Sequence, residues 1–186
     1  IATEQAAVGM SVLHIKKDAE GKWALVEGSA NTRRIDATTK ITLTGPAADI
    51  DGGPEAIGTL ANCSGGTTPW GTALSCEENF QDYPAELPAG YGWDAEIYGK
   101  KHYGWVVEVD PFDATATPRK HTAMGRFRHE NVAIAISADN TVVAYMGDDR
   151  ADSCVYKFVA DKKLSGDRAE DMTILESGKL YVADFG

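Results

Sequence analysis

The stretch NCSGGTTPWGTALSCEENF, residues 62–80, opens and closes on a cysteine, and the second cysteine runs directly into two glutamates and an asparagine. A disulfide scaffold needs no acids at that point, and a solvated acidic face needs no thiol. Two further clusters carry chemistry. GRFRHEN, residues 125–131, supplies Arg126, Arg128, His129, Glu130 and Asn131, and YMGDDR, residues 145–150, supplies Asp148, Asp149 and Arg150. Carboxylates that converge repel one another unless cations or arginines neutralise them. Hard oxygen ligands suit Ca²⁺ or Mg²⁺, and a thiolate among carboxylates suits a more thiophilic ion such as iron or zinc. Cys76-Glu77-Glu78 therefore points to a mixed metal site. Arg128 and Arg150 suit bidentate binding of phosphate or carboxylate.

Each cluster also has a plainer reading. Adjacent acids at a strand end are commonly solvated or cap a turn. Successive strand residues face opposite sides, so Glu77 and Glu78 share a side only if the strand bends, and the same holds for Asp148 and Asp149. His129 reads as a structural hydrogen-bonding residue before it reads as a ligand. Cys63 and Cys154 read as small buried residues, with a Cys63–Cys76 bridge as an alternative. CSGGTTPWG is not a phosphate-binding Walker loop, because no Gly-Lys-Ser/Thr follows, and AYMGDDR lacks EF-hand spacing.

The elements that must position these groups read as strands. SVLHI and WALVEG flank the turn KKDAEGK as a hairpin. KITLTG, WGTALSCEE, GWVVEVDP, SCVYKFVA and KLYVADF each alternate or carry β-branched runs bounded by turn residues. HENVAIAISADNTVVAYMGDD, residues 129–149, reads as two strands joined by SADNT, which brings Glu130 and Asp149 to one rim. Residues 44–69 and 81–102 read as loop insertions, the second with one helical turn in AEIYGKK. Strand-turn phrases recur at the spacing of four-stranded blades, so the chain is expected to be one all-β domain over residues 1–186. It would be a β-propeller of about three to four blades and hence an incomplete one.

Composition is that of a globular protein, with 43% apolar and 25% charged residues. The net charge of −10 disfavours nucleic acid as a partner. No apolar run reaches the roughly 18 residues of a membrane helix, so no membrane partner is expected. The first residues, IATEQAAVGM, carry no signal-peptide pattern. Three cysteines without a CxxC argue against a disulfide framework and a zinc ribbon.

Taken in order, NCSGGTTPWGTALSCEENF, YGWVVEVDPF, MGRFRHEN, VVAYMGDDR, CVYKF and KLYVADF resemble the PhoX-type alkaline phosphatases, with NTRRID and LTGPAA upstream also fitting. The resemblance covers nearly the whole chain. It implies a six-bladed β-propeller and phosphomonoester hydrolysis with an oxo-bridged iron pair and several Ca²⁺ ions. It also implies export to the periplasm or beyond by the twin-arginine route. Carried over, it makes Cys76 the iron-ligating thiolate and Glu130 a carboxylate ligand. Glu77, Glu78 and Asp149 become further ligands and Arg150 a phosphate contact. The family's later blades hold more metal-binding acids and an arginine that find no match here. The chain is thus expected to be a central portion of the enzyme, with the missing blades supplied by further segments or chains. The alternative is a noncatalytic propeller module that binds calcium or a protein.

Overall fold

The computed structural model describes residues 2–49, 52–82 and 102–186. The helical turn expected in AEIYGKK lies outside the described residues. After a short helix, α1 (Ala2–Ala7), the structure is almost entirely β.

Two small ladders come first. β1 (Met10–Val12) pairs antiparallel with β4 (Arg33–Ile35), and β2 (Ile15–Lys17) pairs with β3 (Trp23–Leu25) as a hairpin shifted from the expected one: Ser11 and Val12 pair with β4 instead, and Lys16 and Lys17 belong to the strand. A six-stranded sheet follows, built from β5 (Lys40–Thr44), β6 (Glu55–Ile57), β7 (Asn62–Thr67), β8 (Ala73–Glu77), β9 (Val106–Val109) and β10 (Arg119–His121). Its order is β6-β5-β10-β9-β8-β7, antiparallel throughout except where β10 lies parallel to β5. The last sheet is a plain antiparallel meander of β11 (His129–Ile136), β12 (Thr141–Asp148), β13 (Val155–Lys163) and β14 (Gly178–Val182). Among the described residues no sheet closes into a barrel.

The β11–β12 turn forms where the sequence expects it. Asn140 takes φ 65°, a left-handed conformation asparagine tolerates better than most residues. Its N–H donates to the Ser137 carbonyl at 3.0 Å, and the Ser137 N–H donates to the Thr141 carbonyl at 3.0 Å.

The main core lies between the two large sheets. Leu74, Cys76 and Val106 of the first pack against Val132, Ala144, Met146 and Phe158 of the second. A methyl at Gly66 would lie 2.4 Å from the Val132 carbonyl oxygen, so β7 and β11 meet there backbone to backbone. Residues 44–69, expected to be a loop, thus contain two strands. The glycines that signal a loop instead permit this approach.

Segment 165–179 holds a helix, α2 (Arg168–Asp171), and a 3₁₀ turn (Ile174–Glu176). Asp167 caps α2 by accepting from the N–H groups of Ala169 and Glu170.

One buried polar network ties β9, β10 and β5 together. Glu108 accepts hydrogen bonds from Trp70 Nε1 at 2.8 Å and from the Thr72 hydroxyl, pairs with Arg119 at 2.7 Å, and meets His121 Nε2 at 2.8 Å. His121 Nδ1 lies 3.0 Å from the Thr44 hydroxyl. Burial alone would raise the Glu108 pKa, but the His121 bond and the His121 and Arg119 charges, with Thr72, bring it down to about 2.

Candidate metal centre

The end of β8 sorts the three residues Cys76, Glu77 and Glu78 by the two-residue period of a strand. Cys76 points into the core between the sheets with no exposed surface. Burial, then the neighbouring Cys63 and Glu77, pushes its thiol up to about 12. It is a buried thiol, and its expected role as a thiolate ligand stays an expectation.

Glu77 points to the opposite face and is equally buried. Its carboxylate accepts from the Thr59 hydroxyl at 2.7 Å and from the Gly104 and Trp105 N–H groups at 2.9 and 3.1 Å. It also pairs with Lys120 Nζ at 2.8 Å. The ammonium is held as well by the carbonyls of Gly58 and His102 and lies 4.7 Å from the centre of the Tyr103 ring. Both oxygens of Glu77 are thus engaged by protein partners, and its reading as a metal ligand stays an expectation.

Glu78 lies just past the strand end, half-buried, where its N–H donates to the Ala61 carbonyl at 3.0 Å. Its carboxyl lies close enough to the Asp149 carboxyl and the Cys63 thiol for both to act on its titration. Burial first, then the shared bond with Asp149 and the charges of Asp149 and Glu130, raises its pKa. The Cys63 thiol is raised too, by desolvation first and then by Glu78 and Glu130. The structure therefore brings Cys63, Glu78, Glu130 and Asp149 together from four separate places in the chain.

Two matched irregularities aim these groups. Between Asn62↔Glu77 and Gly65↔Ser75, β7 spends one residue more than β8. Between His129↔Asp148 and Val132↔Met146, β11 spends one residue more than β12. Cys63 with Ser64, and Glu130 with Asn131, are the bulged residues. Bulges re-aim side chains and recur beside active sites. The two bulges face each other, and the Ser64 hydroxyl donates to Asn131 Oδ1 at 3.4 Å.

The choice between Asp148 and Asp149 follows from the hydrogen bonds. Asp148 is buried and accepts from the Arg128 N–H at 3.0 Å, the Ser153 hydroxyl at 2.5 Å and Arg150 at 3.0 Å. It braces the turn after β12. Asp149, anchored by its N–H on the Arg128 carbonyl at 3.1 Å, is the residue that reaches Glu78. The arginines of these segments are engaged with other acids. Arg128 pairs with Asp82 at 2.5 Å, and Arg150, with 57% of its side chain exposed, pairs with Asp148. His129 is structural, as expected: fully buried, stacked 3.7 Å from Phe127 and bonded to the Gly125 carbonyl at 3.0 Å.

A thiol and three carboxylates that act on one another's charge at one rim are donor types that suit cations. The close approach of the Glu78 and Asp149 carboxyls is of the kind a cation relieves. Among the described residues no three such groups yet converge on a single coordination point. A cavity of about 390 Å³ opens beside the cluster, lined by Cys63, Glu78 and Asn79 and by Ala7, Val8 and Gly9.

Sequence reasoning missed Cys63. Its neighbours Ser64, Gly65 and Gly66 read as loop, yet Asn62-Cys63 continues directly from the rim that carries Glu78. That pairing was the available signal. His121 has no motif in sequence that marks a partner, and it is buried against Glu108.

The family model for alkaline phosphatase PhoX matches residues 1–186. A solved structure, Pseudomonas fluorescens PhoX in complex with vanadate, a transition-state analogue, is 36% identical with a TM-score of 0.83. The match covers 96% of this chain and 37% of that one, so the chain spans well under half of its solved relative. No curated protein matches the chain.

Proposed function

The chain belongs to the PhoX alkaline phosphatase family, and on that premise we propose that the protein containing it is a metal-dependent phosphomonoesterase. This chain supplies part of its site. The observation that carries the reading is the pair of facing bulges, joined by Ser64 and Asn131, that brings Cys63 and Glu130 to the rim where Glu78 and Asp149 act on each other's charge. Cys63, Glu78, Glu130 and Asp149 would hold the metal, with iron suited to the thiolate and calcium to the carboxylates. When bound, such ions supply Lewis acidity toward phosphate oxygens and lower the pKa of bound water.

The chain's own residues orient and screen. Asp148 fixes the turn that presents Asp149 and steadies Arg150, whose exposed guanidinium is the candidate contact for a phosphate oxygen. The facing bulges hold the two sheets in one register at the rim. The core below them keeps water from the underside of the cluster.

The two large sheets read as two blades of a six-bladed propeller, and the two-stranded ladders as portions of others. The remaining blades come from further segments or chains and add the rest of the site. A periplasmic or secreted location accords with this reading.

The test uses the whole protein. Elemental analysis should find iron and calcium, and a phenolic phosphate ester should be hydrolysed. Glu78→Gln should lower both metal content and turnover, the latter by roughly a hundredfold or more, about 3 kcal/mol in the barrier. Calcium alone, with no ester hydrolysed, would instead favour the noncatalytic binding module.

A further inference from the structure

Glu130 reaches the rim because β11 breaks its own alternation. Val132 is buried in the core between the two large sheets. In a regular strand the residue two places earlier shares its face, which would turn Glu130 into that core. The bulge between His129↔Asp148 and Val132↔Met146 inserts one residue. His129 and Val132 are therefore both buried, while Glu130 and Asn131 between them are both exposed. Val132 is held on two sides. Its N–H donates to Asn131 Oδ1 at 2.9 Å. Its carbonyl oxygen lies so close to Gly66 of β7 that a methyl there would stand 2.4 Å from it. Asn131 Oδ1 also accepts from the Ser64 hydroxyl, in the facing bulge of β7, at 3.4 Å. One amide oxygen thus touches both bulges.

We propose that Asn131 is a positioning residue: by holding the bulge of β11 in place it keeps Glu130 out of the core and aimed at the Cys63 side of the rim. The inference rests on the metal-site reading above and goes further by naming the residue through which one ligand is presented. Cys63 and Glu78 come from β7 and the end of β8, and Glu130 and Asp149 from β11 and the end of β12. Any cation they share must therefore bridge two sheets. The Gly66–Val132 contact fixes how closely those sheets approach, and Asn131 fixes which residues of β11 face outward beside it. Without the Asn131 oxygen the Val132 N–H loses this acceptor and the bulge loosens. Glu130 then keeps its charge and loses its aim.

The experiment uses the whole protein, stripped of metal, and titrates it with ferrous iron under argon while calcium is held constant. A cation on Cys63 protects it from iodoacetamide, so peptide mass spectrometry gives the iron concentration that halves Cys63 labelling. Asn131→Ala should raise that concentration roughly tenfold, and Glu130→Gln by as much or more. The double variant should need no more than about twice the iron of Glu130→Gln alone, because both changes remove one interaction. Asn131→Asp keeps the acceptor oxygen and should protect Cys63 at the wild-type concentration or below. An Asn131 with a merely structural role would weaken binding independently of Glu130, and the two factors would multiply in the double variant; that result overturns the proposal. So does a loss of about tenfold in Asn131→Asp, a result that stands even if Asn131→Ala does not fold. Wild-type labelling that iron never slows would overturn the metal-site reading as well. Protection that is normal in every Asn131 variant overturns the positioning role alone.

Discussion

Glu77 and Glu78 are bonded neighbours with opposite environments: Glu77 is enclosed with Lys120 at 2.8 Å, and Glu78 faces Asp149 at the rim. Adjacent strand residues point to opposite sides, and β8 ends between a packed polar pocket and an open edge.

Their substitutions should therefore move stability in opposite directions. Removing one member of a buried ion pair costs about 3–5 kcal/mol, because the other charge is left uncompensated. Glu77→Leu should be worse than Lys120→Met, since it also strands the Gly104 and Trp105 N–H groups. Glu78→Gln should leave metal-free stability unchanged or higher, because it relieves repulsion from Asp149 and Glu130. Urea unfolding of the metal-free protein measures all three, and a Glu78→Gln protein as unstable as Glu77→Leu would contradict the assignment.

Glu108 predicts an acid limb. Its pKa falls from 4.5 to about 2 on folding, because His121, Arg119 and Thr72 outweigh burial. A depressed folded pKa gives stability that is fully present above the unfolded value and is lost as pH falls toward the folded one. The window is thus between pH 4.5 and about 2, and the full contribution is roughly 3 kcal/mol. Melting temperature against pH should drop through that window in the wild type. Glu108→Gln should start lower and flatten there; a curve of unchanged slope would show that another acid sets the limb.

The two cysteines of the β7–β8 pair should differ in alkylation. Cys63 is exposed and Cys76 is not. In the metal-free native protein, iodoacetamide should modify Cys63 and spare Cys76, as read by peptide mass spectrometry. Desolvation, then Glu78 and Glu130, holds the Cys63 thiol protonated, and only the thiolate reacts. Labelling should therefore be slow at neutral pH, quicken in alkali, and run several-fold faster in Glu78→Gln. Equal labelling of Cys76 would contradict its burial.

Much of the fold was legible where apolar alternation is strong. Residues 129–149 read as a hairpin and fold as β11 and β12 with the expected turn, because valine, isoleucine and tyrosine mark both strands and Asn140 marks the turn. The same pattern placed Glu130 and Asp149 at one rim. β7 was illegible for a physical reason. Its glycines answer to the backbone of β11, a tertiary neighbour that local pattern does not show. β10, with the sequence Arg-Lys-His, looks like solvated loop, yet Lys120 and His121 are fully buried because Glu77 and Glu108 await them. Choosing Cys76 as the thiolate followed from its place directly beside Glu77 and Glu78 and from the family resemblance. A bulge in β7 brings Cys63 to the rim beside Glu78, and bulges leave little trace in composition.

The parallel pairing of β5 with β10 orders events in time. Thr44 and His121 touch across a separation of 77 residues, so that edge cannot form until the chain between them has collapsed. The β11–β14 meander needs only neighbouring strands and is free to form early. The rim, which draws on both sheets, is then a late product of folding. A kinetic trap that leaves β5 unpaired would expose its edge while the meander looks native. Refolding followed at Cys63 should lag behind refolding followed at the tyrosines of β12 and β13.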